Sequence, residues 1–317
     1  MTILSELQPL NHPLFKKHHV HVQVKRDDII HPIISGNKWR KLQGNLTHIQ
    51  NTKNINGVIS FGGSFSNHIH ALAFACYQQK IPCVGIIRGE PHYANNYTLS
   101  WARHWGMQLH FVDRKTYRLR DTPDYLLRLQ KEFPNHLIVP EGGTNEYALS
   151  GVAKVISELN QQTEYDTLIT PTGSGGTLAG LIYGDYNLSK QNHKLLGVAV
   201  LKNADYLVKK IQTLLPPSAL GHNNWELITE FHRGGYAKFS ADDAARILDF
   251  NQTTGVDFEP VYSGKMILAV LDLLEQGYFA KGERIVLLHT GGMQGVGGMI
   301  ERGLLDSKHW PMPKKVT

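Results

Sequence analysis

The chain has 317 residues, 41% hydrophobic and 19% charged, the balance of a globular protein long enough for one large domain or two ordinary ones. No apolar run reaches about 18 residues, which excludes a membrane span, and "MTILSELQPLNHPLF" lacks the basic-then-apolar pattern of a secretory signal. The net charge of +6 is scattered rather than gathered into a basic tract. It favours small anionic ligands and argues against a nucleic-acid partner, while only two cysteines, Cys76 and Cys83, exclude a disulfide framework and fit a reducing cytoplasm.

In chain order, "VHVQV" alternates and predicts a strand with Val20, Val22 and Val24 on one face. "HPIISGNKWRKLQGNL" then turns sharply at Gly36 and sets Lys38 and Lys41 one helical turn apart. Taken alone, these are lysines on a solvated helix face. "GVISFGG", "PCVGIIRG", "QLHFVD", "HLIVPEGG", "DTLITPTGSGG", "LLGVAVL" and "RIVLLHTGG" are near-continuous apolar runs, which predict buried strands of a parallel sheet covered on both faces. Helical patterns lie between them. "PDYLLRLQKEFPN" is amphipathic and stopped by proline, "SADDAARILDF" opens on a capping box of Ser240 and Asp243, and "GKMILAVLDLLEQG" ends at Gly277. Strand–helix alternation throughout predicts an α/β fold.

Three strands feed glycine-rich turns, at Gly62-Gly63, Gly173 to Gly176 and Gly291-Gly292. Ligands of open α/β sheets bind at such strand ends. In "TPTGSGGTLAGL", residues Gly173, Ser174, Gly175, Gly176 and Thr177 form a cup of backbone N–H groups and hydroxyls at a helix start, suited to an anion. It is not a Walker loop, and Leu178 stands where a dinucleotide fingerprint needs glycine. A turn that binds nothing is the alternative. In "SFGGSFSNHIHALAFA", Ser66 and Asn67 open a helix. Capping alone explains them; the functional reading is a carboxylate cradle. Tyr236 in "FHRGGYAKFS" and Tyr262 in "GVDFEPVYSGKM" fit packing as well as a site. The histidine pairs lack a neighbouring carboxylate or cysteine, so no metal is expected, and no nucleophile elbow supports a serine hydrolase.

Taken together, "SGNKWRKL", "GGSFSNHIHA", "TGSGGTLAG", "EPVYSGK" and "HTGG" resemble, in order and spacing, the pyridoxal-phosphate-dependent 1-aminocyclopropane-1-carboxylate deaminase / D-cysteine desulfhydrase family, over roughly Val22 to Gly298. The resemblance implies the tryptophan-synthase-β-like fold type II: two open, twisted parallel-sheet α/β domains. Residues 1–46 plus 143–317 would form the larger domain, 47–142 the smaller, with pyridoxal 5'-phosphate held between them. It implies that Lys38 forms the Schiff base, that Lys41 lies near the phosphate, and that Gly173 to Thr177 hold that phosphate. Asn67 would reach the ring hydroxyl. Ser66, with Asn67 and His68, would sit at the substrate carboxylate and reacting carbon, Tyr236 and Tyr262 would flank the substrate, Thr290 would face the pyridine nitrogen, and Ser263 would also contact the cofactor.

Two positions separate the branches. Ser263 stands where the deaminases carry glutamate, and Thr290 where they carry leucine; hydroxyl residues at both match the desulfhydrase branch. The resemblance therefore implies α,β-elimination from a small D-amino acid, with D-cysteine giving pyruvate, ammonia and hydrogen sulfide. The alternatives are the deaminase itself, giving 2-oxobutyrate; a dehydratase or sulfhydrylase acting on L-amino acids; and a phosphometabolite-binding protein without chemistry. Trp39 and His68 depart from the commoner small or polar residue and glutamine at their positions, which implies a narrowed or re-aimed pocket. A homodimer is expected from the family.

Overall fold

The structure, a computed structural model, describes residues 4–34, 36–189 and 193–310. Among them lie the strands β1 (Leu7–Leu10), β2 (His21–Lys25), β3 (Gly57–Gly63), β4 (Cys83–Arg88), β5 (Gln108–Val112), β6 (His136–Val139), β7 (Thr167–Thr172), β8 (Lys194–Ala199), β9 (Trp225–Ile228) and β10 (Arg284–Leu288). The chain forms two compact units. The first takes the N-terminal segment to His31, Gly36, Asn37 and Leu149–Met293; the second takes Pro32–Ile34, Lys38–Ala148 and the chain from Gln294 onward.

The first unit is built on a sheet of order β1-β2-β10-β7-β8-β9. Only β1 runs antiparallel, against β2; β10 pairs in parallel with both β2 and β7. β7 and β8 are buried almost throughout because helices cover them, which is why their sequences do not alternate. Leu168, Leu195 and Val286 of the sheet pack with Val155 and Leu159 of the Glu146–Gln162 helix and Leu178 and Ile182 of the Gly176–Leu188 helix. Burying each such side chain is worth about 2 kcal/mol. Val20, Val22 and Val24 are all buried, as the alternation predicts. The capping box opens the Ala241–Thr254 helix: Asp243 N donates to Ser240 Oγ (3.0 Å) and Ser240 N to Asp243 Oδ2 (2.9 Å). Lys25, fully buried, donates to Ser5 O (2.7 Å) and Gln162 Oε1 (2.7 Å) and pairs with Glu158 (2.8 Å), which ties the N-terminal segment to the unit.

The second unit holds a wholly parallel sheet of order β5-β4-β3-β6. Its two central strands feed both faces. Val58 and Ile87 point into one core with Leu42, Leu72 and Trp105, while Ile59, Phe61, Val84 and Ile86 point into another with Tyr117, Tyr125 and Leu129. β5 and β6 were expected to be buried like the rest. They are the sheet's edges, paired on one side only, and most of their residues are half-buried. The Gln294–Glu301 helix joins this unit through close contact: a Cβ at Gly298 would lie 2.5 Å from the Phe65 ring, and Glu301 accepts a bond from Tyr97 N (3.1 Å). Cys76 and Cys83 are both buried free thiols. No helix among the described residues is long and apolar enough to cross a membrane.

Candidate active site

In the first unit, buried β7 ends at Thr172 and the chain turns through Gly173 and Ser174 to Gly175, whose φ of +85° lies in the left-handed region open to glycine. The Gly176–Leu188 helix follows. Its N-cap is Gly175, with no side chain to cap it, so the first-turn N–H groups and the helix dipole face whatever the cup holds. A Cβ at Gly173 would lie 3.1 Å from the Tyr262 ring, and one at Gly175 2.9 Å from Ile211. The turn admits backbone and nothing larger.

The turn at Gly36 is fixed to the same unit. Gly36 has φ +60° and donates to Asp27 O (2.9 Å). Asn37 N donates to Thr290 O (3.2 Å), and Asn37 Nδ2 donates to Thr177 Oγ1 (2.8 Å). Asn37 therefore joins the glycine cup to the turn after β10, and Lys38 is the next residue in the chain. His289, fully buried, braces that turn: its Nδ1 accepts from Gly291 N (3.1 Å), so its Nε2 carries the hydrogen and donates to Asp257 O (2.7 Å).

Both tyrosines also belong to this unit, their rings meeting edge to face at 5.8 Å. Tyr262 immediately precedes the Ser263–Glu275 helix, whose start has no ordinary side-chain cap. Glu259 fills that role. Its carboxylate accepts from Val261 N (2.7 Å), Tyr262 N (2.8 Å) and Ser263 N (2.9 Å). Complete burial pushes its pKa up to about 7, against the pull of those N–H bonds. Ser263 Oγ is turned inward on the same residue, accepting from Glu259 N (3.2 Å) and donating to Glu259 Oε1 (3.3 Å). Lys265, also buried, donates to His232 O (2.8 Å), Gly235 O (2.5 Å) and Val200 O (3.3 Å); burial lowers its pKa to about 8.

In the second unit, Lys38 and Lys41 lie on the Asn37–Asn51 helix. Lys41 is buried and donates to Thr144 Oγ1 (3.2 Å) and Gly142 O (3.3 Å). Ser66 is the N-cap of the Asn67–Gln79 helix, accepting from Ile69 N (3.3 Å), so the capping reading holds for it. Asn67 starts that helix, and its buried Oδ1 has no hydrogen-bond partner.

His68 is buried beside Ser60. The Ser60 hydroxyl donates its single hydrogen to Val139 O (2.7 Å), so it must accept from His68 Nε2 (2.7 Å). That leaves the lone pair on Nδ1, which is buried without a partner. Burial first, then the charges of Lys38 and Lys41, holds the ring's pKa well below its ordinary value, so His68 is a neutral acceptor.

The structure thus joins Asn37, Thr177 and Thr290, brings the two tyrosines into contact, and sets His68 under the influence of both lysines. Asn37, Ser60, Glu259, Lys265 and His289 were not singled out from sequence. For Glu259 and Lys265 a signal was present: an acid and a base flank Tyr262 inside an otherwise buried run.

Residues 4–291 match the family described as pyridoxal-phosphate dependent enzyme. A Pyrococcus furiosus protein provisionally named 1-aminocyclopropane-1-carboxylate deaminase is 30% identical over 292 residues, covering 86% of this chain and 85% of that one. The mitochondrial bifunctional D-cysteine desulfhydrase/1-aminocyclopropane-1-carboxylate deaminase of Arabidopsis thaliana is 27% identical over 295 residues, covering 86% and 72%. The crystal structure of an ACC deaminase homologue superposes with a TM-score of 0.80 at 25% identity, covering 96% of each chain.

The donor set fits this cofactor. In the first unit a side-chain-free helix start suits its phosphate, and a lysine follows the residue that braces the cup; in the second, taken by itself, the buried Asn67 Oδ1 has no partner. The chain belongs to the pyridoxal-phosphate-dependent enzymes, in the 1-aminocyclopropane-1-carboxylate deaminase / D-cysteine desulfhydrase family, and its cofactor is pyridoxal 5'-phosphate.

Proposed function

We propose that this chain is a lyase that removes a β-leaving group from a D-amino acid, with D-cysteine and one water yielding pyruvate, ammonia and hydrogen sulfide, the water entering only after the thiolate has left. Lys38 would hold the cofactor at its Nζ, and the N–H groups of the 173–177 turn would take its phosphate. Lys41 adds positive charge near Lys38, and Asn67 bonds the ring hydroxyl. Thr290 lies at the pyridine nitrogen. Once bound, the cofactor supplies an electron sink for charge that develops at the substrate α-carbon. Lys38 Nζ would take the α-proton of the substrate as the thiolate leaves from the β-carbon. Ser66, Asn67 and His68 lie at the substrate carboxylate and reacting carbon, where His68 Nδ1, able only to accept, takes a hydrogen from the substrate and leaves the carboxylate to the other two. Tyr236 and Tyr262 flank the substrate and exclude water.

The observation that carries the choice of reaction is the use made of Glu259. The carboxylate of the "EPVYSGK" segment is spent on three main-chain N–H groups and on Ser263, and Thr290, bonded through its carbonyl to Asn37, is neutral. A neutral partner for the pyridine nitrogen makes a weaker sink. Such a sink suffices to expel thiolate, a good leaving group, and suits the opening of an unactivated ring less well. The second reading, deamination of 1-aminocyclopropane-1-carboxylate, is supported by the names of the relatives.

The test is one incubation series of holoenzyme with D-cysteine, L-cysteine and the cyclopropane acid. Sulfide and pyruvate from D-cysteine alone are expected; 2-oxobutyrate from the cyclopropane acid, without sulfide from D-cysteine, overturns the assignment. We further read the protein as a cytoplasmic homodimer. Its two buried free thiols support a reducing compartment and the family resemblance supports the dimer; light scattering on the purified protein measures the mass.

A further inference from the structure

We propose that Glu259 and Lys265 are positioning residues for the two tyrosines, the carboxylate setting Tyr262 and the ammonium setting Tyr236. This rests on the reading of those tyrosines as substrate contacts. The anchoring is visible in the geometry. Tyr262 has φ −121° and ψ −72°, outside the helix that follows it, and its N–H points into the Glu259 carboxylate. That one carboxylate satisfies three consecutive N–H donors, at 261, 262 and 263, at the positive end of the helix dipole. It fixes the direction in which the Tyr262 side chain leaves the main chain.

Lys265 does the same for Tyr236 from one turn further along the helix. An ammonium has three N–H donors, and Lys265 spends them on three carbonyls, of Val200, His232 and Gly235. Two of the three belong to the turn that carries Tyr236. That turn cannot hold itself by ordinary backbone preference. Arg233, Gly234, Gly235 and Ala237 all have positive φ, a region in which the two non-glycine residues are strained. Outside bonds must hold it. Lys265 supplies the central ones, and Arg233 adds ion pairs to Asp272 and Asp243. Nearly half of the Tyr236 surface is exposed, so its ring depends on the turn beneath it. Glu259, Tyr262 and Lys265 are spaced three residues apart, so one short segment reaches both tyrosines.

The experiment is hydrogen exchange by mass spectrometry on the holoenzyme, with steady-state kinetics on the same samples. Lys265→Met is expected to raise exchange at 232–238 about tenfold, the loss of one to two hydrogen bonds, and to leave 260–264 near wild type. Glu259→Gln is expected to show the reverse pattern. Both raise KM about tenfold while kcat falls less than about threefold, and both keep the visible band of the Lys38-bound cofactor. If Lys265→Met does not fold, Lys265→Arg takes its place. It keeps the charge but replaces a compact ammonium by a planar fork, and the same pattern in weaker form is expected. Exchange rising evenly over the whole first unit, or KM unchanged in both variants, overturns the proposal. A wild-type enzyme that turns over no D-amino acid defeats the functional reading instead, and the exchange pattern still decides whether the two anchors act separately.

Discussion

Replacing Gly36 by alanine puts the most weight on the smallest change. A Cβ there would lie 1.8 Å from Thr290 O, 2.1 Å from Thr290 C and 2.6 Å from Gly291 N, all backbone atoms that cannot rotate aside. Ordinary contact needs about 3.4 Å, so the turn must open by about 1.6 Å. That displacement breaks the bonds from Gly36 N to Asp27 O, Asn37 N to Thr290 O and Asn37 Nδ2 to Thr177 Oγ1, at about 1 kcal/mol each. The positive φ adds roughly 1–2 kcal/mol for an L-residue. The sum, about 4 kcal/mol, is close to a thousandfold in an equilibrium constant. It falls on the peptide that delivers Lys38, so it should appear as lost cofactor affinity. Titrating the variant with pyridoxal phosphate and following the visible band, beside a circular-dichroism spectrum to confirm folding, measures it. A folded Gly36→Ala protein that binds the cofactor within about threefold of wild type would refute this account of the turn.

Further predictions concern particular contacts. His70, packed edge-on against Trp105, has its pKa lowered to about 4 by burial. Below pH 6.5 the unfolded chain takes up a proton that the folded chain refuses, so stability is full above 6.5 and falls as pH drops toward 4, by about 3 kcal/mol over the window. His70→Leu should flatten that stretch of the denaturation profile. Glu158→Ala removes the buried ion pair with Lys25 and should cost about 3–5 kcal/mol in urea denaturation, whereas the double replacement Lys25→Met/Glu158→Leu should cost far less. Gly173→Ala sets a methyl 3.1 Å from the Tyr262 ring and should raise KM about threefold to tenfold in steady-state assays through a few tenths of an ångström of ring displacement.

Much of this was legible in the sequence because it depends on neighbours in the chain. Apolar runs ending in glycine mark strands whose carboxyl ends carry loops, and glycine turns do follow β7 and β10; Gly62 and Gly63 are instead the last paired residues of β3, and the turn after them starts at Ser64. The capping box and the terminating Gly277, with φ +72°, are local chemistry and lie where the pattern puts them. What depends on distant partners was not legible. That β5 and β6 are edges follows from sheet order, which no single strand encodes. Lys265 is read by carbonyls at 200, 232 and 235, and the tautomer of His68 by Ser60 and Val139. Both were charged or polar letters in an apolar context, which signals a partner without saying where it is. Ser263, read as a residue toward the cofactor, has its hydroxyl turned on Glu259.

The central claim is that the coenzyme is attached at one amine. Reducing the holoenzyme with borohydride, digesting it and sequencing the labelled peptide by mass spectrometry tests this most directly. The account predicts a single pyridoxyl adduct, on Lys38. An adduct on Lys41 or Lys265 with Lys38 unmodified would contradict it.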